Sequence, residues 1–105
     1  MSIMTVYKVE IDISARQDLQ ELLNFLKTVM SREASYRYID AMINEVNGLS
    51  VYADLYGTSR SKIINRIHPE ARRMLSHNKK WNYIFHIEDE IVVVDRIIAS
   101  STISK

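Results

Sequence analysis

The chain has no cysteine, one proline and two glycines in 105 residues. Without cysteine there is no disulfide framework, no thiolate nucleophile and no cysteine-based zinc site. So little Gly and Pro leaves few places for long loops and predicts a chain that is mostly regular structure. No uninterrupted apolar run approaches the roughly 20 residues that span a bilayer. The start, "MSIMTVYKVEID", lacks a basic segment followed by an apolar stretch and a small-residue cleavage site, so no secretory leader is expected. The chain reads as a cytoplasmic protein that does not enter a membrane. Gly-rich phosphate loops, Ser-His-Asp arrangements and paired carboxylates are all missing. The three histidines, His68, His77 and His86, form no helical i,i+4 pair, so neither a metal nor a cofactor is expected.

What is present is an ordinary globular composition, 47% hydrophobic and 26% charged, and a length that suits one domain, residues 1–105. Net charge is +1, but the layout is uneven. From Arg60 to Trp81 there are seven Lys or Arg and a single acid, Glu70. The rest of the chain is net acidic. Local charge density sets the field near a surface, so this stretch can attract a polyanion even though the whole molecule is nearly neutral.

Periodicity places the stretch on an architecture. "VYKVEIDIS", residues 6–14, alternates with Val9, Ile11 and Ile13 on one face, as a half-buried strand does. Ser14 is the expected cap of a first helix, with Gln17 reciprocating, and Leu19, Leu22, Leu23, Leu26, Val29 and Met30 form its apolar stripe. Ser31 is the expected cap of a second helix, with Glu33 near its positive end. Its stripe is Ile39, Met42, Ile43 and Val46, which Tyr36 can extend, and Gly48 lies just past its end. The short connection makes the two helices an antiparallel hairpin.

Residues 49–60, "LSVYADLYGTSR", break both periods and read as a loop. "KIINRI" and "ARRMLS" read as short strands or irregular segments around Pro69. "WNYIFHIE" puts Trp81, Tyr83, Phe85 and Ile87 on one face, and "IVVVDRII" is apolar on both faces, as a central strand is. The expected fold is α+β: a strand, a two-helix hairpin, then a mostly antiparallel sheet of three to four strands with the helices on one face. The basic stretch should then line an edge and the opposite face.

At this point the chain resembles the RelE/ParE superfamily of bacterial type II toxin–antitoxin systems, the plasmid-stabilisation type. The resemblance rests on the strand followed by "DLQELLNFL", on "YRYIDAMINEVNGL", and above all on "RRMLSHNKKWNYIFHIEDEIVVVDRII". It runs from Tyr7 to about Ile98. The ending also looks similar to a subgroup with a Trp-Asn start to its strand and a Ser-Lys tail. The resemblance implies a small growth-inhibiting toxin neutralised by a cognate antitoxin protein. RelE-like members cleave messenger RNA on the ribosome; ParE-like members inhibit DNA gyrase and are not nucleases. After Ile98 the chain departs from the pattern, with Ala99, Ser100, Ser101 and Thr102 where many relatives carry His, Arg or Asp. A decayed toxin that binds only its antitoxin is a third alternative.

The leading expectation is metal-independent endoribonuclease action. A general base and acid contribute roughly 10²- to 10⁴-fold each when well placed, and fixed cations aimed at the developing phosphate charge contribute as much or more. His77, inside the basic run, is the candidate for proton exchange, with Arg73 and Arg96 beside it as catalytic candidates. Arg66, Arg72, Lys79, Lys80 and Trp81 are the candidates for holding nucleic acid. Strand alternation allows only one of Arg72 and Arg73 to face a shared groove. His86, sharing a strand face with Ile84, reads as a satisfied structural histidine, and His68 before Pro69 as a loop residue. Trp81 and Tyr83 could stack on bases, but alternating aromatics in a strand more often pack against a helix, and Phe85 on the same face supports that core reading. Tyr52 and Tyr56 stand in the expected loop, free to touch a partner.

Overall fold

The computed structural model describes residues 6–103; the Ser-Lys tail lies outside them. Strand β1 is Lys8–Ile11, with Val9 and Ile11 packed inward. It is shorter than the alternating stretch suggests. Asp12 donates its amide to Val94 O at 2.9 Å as the last bond to the sheet, and its carboxylate accepts the Ser14 amide. Asp12, not Ser14, therefore caps helix α1, Ile13–Val29. Ile13 belongs to the helix and is 68% exposed, so it does not share the strand's inner face. Ala15, Leu19, Leu22, Leu23 and Leu26 form the buried stripe, whereas Val29 faces solvent.

Ser31 caps helix α2, Arg32–Asn47, through the amide of Ala34. Ile39, Met42 and Val46 are buried. Tyr36 does not extend this stripe: its ring is turned outward between Lys27 and Arg32, 5.2 and 5.6 Å from the cations. Gly48 stays in the right-handed region, φ −61°. The chain therefore continues into a single-turn helix α3, Leu49–Tyr52, and a 3₁₀ turn, Ala53–Leu55. The expected loop at residues 49–60 is thus half helical, because Leu49 and Ala53, four apart, both enter the core. Residues 62–65 correct a second expectation. "KIIN" is a helical turn, α4 (Lys62–Asn65), capped by Ser61 and holding Ile64 buried; it is not a strand.

Strands β2 (Arg72–Leu75), β3 (Trp81–Glu88) and β4 (Ile91–Ala99) complete one sheet in the order β1-β4-β3-β2. β1 is parallel to β4 and the other pairs are antiparallel. β4 is central, as its two-sided apolar run requires. Its register carries a bulge. Phe85 faces Val94 while Ile84 faces Arg96, which leaves Asp95 without a cross-strand partner. The extra residue lets both Val94 and Ile97 enter the helix-side core and turns Asp95 toward His86, the kind of re-aiming that bulges provide. A helical turn, α5 (Ser100–Ile103), follows.

Helices α1 and α2 cover one face, over a core that includes Leu19, Leu23, Met42, Tyr83, Phe85 and Val92. The opposite face is not bare. Ile64 from α4 and Ile103 from α5 close a second cluster over Ile84 and Ala71, with Ile67 and Ile98 beside it. No helix among the described residues is long and apolar enough to cross a membrane.

Candidate nucleic-acid interface

The basic stretch does not form one patch. Met74 enters the helix-side core, so alternation sends Arg73 and Leu75 to the opposite face. Arg72 turns the other way, and its guanidinium donates to Tyr56 O at 2.8 Å, pinning the segment that precedes α4. Of the two adjacent arginines only Arg73 is therefore offered outward. It lines a groove of about 260 Å³ with Leu75, Lys79, Asn82 and Ser100. Among the described residues no carboxylate lines this groove.

The turn between β2 and β3 is built tightly. Ser76 takes the Lys79 amide on its carbonyl (2.9 Å), and its own amide donates to Trp81 O. Its hydroxyl donates to Asn78 Oδ1 and accepts from the Trp81 amide. Helix α2 holds the turn from the other side. Glu45 accepts the His77 amide at 2.6 Å and the Tyr83 hydroxyl at 3.1 Å. Tyr38 Oη accepts from Asn78 Nδ2 and from the Trp81 indole. Burial, reinforced by Glu45, pushes the Tyr83 phenol far above its ordinary range.

His77, Lys79 and Lys80 are exposed on this turn, and of the three Lys79 lines the groove. Arg66 is exposed at the end of α4 and is not among the residues that line the groove. Trp81 is not among the cations. Its ring packs against the helix-side core and borders a shallow groove with Phe25, Leu22, Ile97, Asp18 and Glu21.

Arg96 is also elsewhere. Its Nε and Nη2 donate to the two carboxylate oxygens of Asp18 at 2.8 and 3.0 Å, and the Ile97 amide donates to the same carboxylate at 2.8 Å. Asp18 thereby seals the edge of β4 beyond the point where β1 ends, and its hydrogen bond holds the guanidinium above its ordinary pKa. The expected grouping of Arg96 with His77 and Arg73 is not what the fold assembles.

The other histidines form a closed set. His86 is buried, with Nδ1 2.7 Å from Asp95 and Nε2 3.5 Å from Glu88. His68 stacks on it at 3.8 Å and 2°, and His68 Nδ1 accepts the Glu70 amide. Burial pushes the Asp95 carboxyl above its usual range, against the pull of His86. Among the described residues no group of three or more His, Asp or Glu could hold a metal ion.

Of the expected residues, Arg73 and Lys79 line this groove; Asn82 and Ser100, which line it with them, were not among the candidates. Asn82 had a signal: it is the polar position of β3 on the face of Ile84. Ser100 lay in the stretch that departs from the family pattern. On the other side of the molecule an apolar groove of about 360 Å³ runs between α1 and α2 at the β1 edge, lined by Ile11, Arg16, Leu19, Leu23, Ile39 and Ile43, with Gln20.

No protein-family model and no curated protein matches the chain. Solved structures do. A chain of the chromosomal ParDE TA system from P. aeruginosa superposes with a TM-score of 0.76 at 14% identity, over 90% of this chain and 97% of that one. A chain of the toxin–antitoxin complex RelBE2 from Mycobacterium tuberculosis gives 0.62 at 19% identity, over 94% and 97%. Both likenesses span nearly the whole of each chain, in keeping with the resemblance to the RelE/ParE superfamily, and what they establish is the fold: this chain folds as those members of toxin–antitoxin complexes do.

Proposed function

We propose that the chain is the toxin of a type II toxin–antitoxin module and that its basic end grips RNA, with messenger RNA on the ribosome as the target. The observation that carries the RNA reading is that Arg73 and Lys79 share a groove lined, among the described residues, by no acid. Arg73 offers a planar fork to a phosphodiester and Lys79 a point charge. In cleavage the 2′-oxygen of the RNA attacks the adjacent phosphorus, the bond to the 5′-oxygen breaks, and a cyclic phosphate is left. The two cations oppose the charge that accumulates on phosphorus-bound oxygen. His77, exposed on the same turn, is assigned the 2′-hydroxyl proton, and solvent water protonates the departing 5′-oxygen. The resemblance to RelE-like proteins supports this assignment.

The cognate antitoxin fits the opposite side. β1 is an edge strand, and the apolar groove at that edge offers anchors for a segment that adds to the sheet and packs between the helices.

Purified protein added to a translating system should cut messages at defined codon positions, and R73A or K79A should abolish the cuts. Intact messages alongside an active control would reject cleavage. A second reading, a non-catalytic ParE-like inhibitor of DNA gyrase, is favoured by one feature: the candidate proton carrier is not oriented by a carboxylate, which Glu45 instead extends to the His77 backbone. Induced cells would then show a DNA-damage response with messages whole.

A further inference from the structure

Lys79 has φ 64°, in the left-handed region. Non-glycine residues seldom occupy it, and the exceptions are enriched in Asn, Asp and His, not in lysine. The other such residue among the described ones, Asp89 (φ 57°) in the β3–β4 turn, conforms to that preference. Lys79 does not, and backbone strain of this sort persists only where the surroundings impose it. The turn's own bonds, the Lys79 amide to Ser76 O and the Lys80 amide to Asn78 Oδ1, hold it from one side, and further bonds come from beyond the end of β4. Ser100 Oγ donates to Lys79 O at 2.7 Å, and the Ser100 amide donates to Lys80 O at 2.9 Å. Asn82 Nδ2 in turn donates to Ser100 Oγ at 3.0 Å. Two successive carbonyls of the strained turn are thus tied to one residue, which itself borders the groove with Arg73 and Lys79.

We propose that Ser100 is a positioning residue that holds Lys79 in its left-handed conformation, so that its ammonium and the Arg73 guanidinium address one phosphate. The proposal rests on the RNA reading above and deepens it: Ser100 carries no acid or base but sets the aim of a cation. Asn82 orients the Ser100 hydroxyl, leaving its proton for the Lys79 carbonyl.

The test is a double-mutant cycle on the full chain, read as anisotropy of a short fluorescent single-stranded oligouridylate at several salt concentrations. K79A should weaken binding about tenfold and reduce the salt slope by about one. S100A should do nearly the same with Lys79 still present, S100T should bind like the wild type, and K79A/S100A should be no weaker than K79A. A merely structural role would leave the salt slope of S100A unchanged, and melting curves at each salt establish that every variant is folded at the assay temperature. If the wild type and K79A differ while S100A binds like the wild type, or if the two losses multiply in the double variant, the positioning role is wrong and the RNA reading stands. If the wild type does not bind, both are wrong.

Discussion

Removing the Asp18 carboxylate tests how the fold closes its central strand. Three donors meet there: two from Arg96, whose side chain is 43% exposed, and the amide of Ile97, a residue 5% exposed. In D18A the guanidinium can rehydrate, so losing the ion pair costs about 0–1 kcal/mol. The Ile97 amide has no comparable access to water, and leaving it unpaired costs about 1–3 kcal/mol. The expected total is about 2–3 kcal/mol, with the amide dominant. D18N, whose side-chain oxygen can still accept from Ile97, should cost about 1 kcal/mol, and R96M no more than that.

Urea unfolding followed by circular dichroism, with an unchanged m-value, measures each. For a domain of this size D18A should lower Tm on the order of 10–20 °C. An R96M loss equal to that of D18A would refute the reasoning, since it would put the energy in the ion pair. So would a D18A cost within about 0.5 kcal/mol of zero.

Three further outcomes are expected. Burial holds the Asp95 carboxyl above its ordinary range, so the folded state binds that proton more tightly than the unfolded chain. Its contribution to stability is present below about pH 4 and is lost as pH rises through the folded value; D95N should remove that slope from a pH series of unfolding curves. Tyr83 is held protonated by burial and Glu45, so absorbance titration of the native protein should leave one of the six tyrosines silent until the chain unfolds in alkali, and in Y83F no such residue should remain. I103D, which places a charge in the second apolar cluster, should destabilise by about 3 kcal/mol or more in the same urea assay, because a buried charge without a partner is among the costliest substitutions.

The elements that show at least two turns or four alternating positions were legible in the sequence. Leu19, Leu22, Leu23 and Leu26 announce α1, and the double-sided run of β4 announces a central strand. The single-turn helices α3, α4 and α5 were not, since one turn is too short for a period to repeat. A cap can be misplaced by two residues when Asp12 and Ser14 both satisfy the local rule. The divergence of Arg72 and Arg73 followed from strand alternation alone. What could not be read was which acid takes which base: Arg96 and Asp18 are 78 positions apart, and no local pattern joins them. The groove has the same character. Arg73, Lys79 and Asn82 come from one hairpin, but its last wall, Ser100, comes from beyond β4, and only the register of β3 on β4, with Trp81 opposite Ala99, brings it there.

The pairing of β1 has a consequence for how the molecule comes to exist. Lys8 lies opposite Ile91, and among the described strands β4 is the one neighbour of β1. The first strand and the apolar stripes of the hairpin therefore wait, during synthesis, for nearly the whole chain to appear before they find their seat. Closing so long a loop is entropically slow, and for that interval the nascent protein shows a bare hydrophobic ribbon to whatever binds fastest.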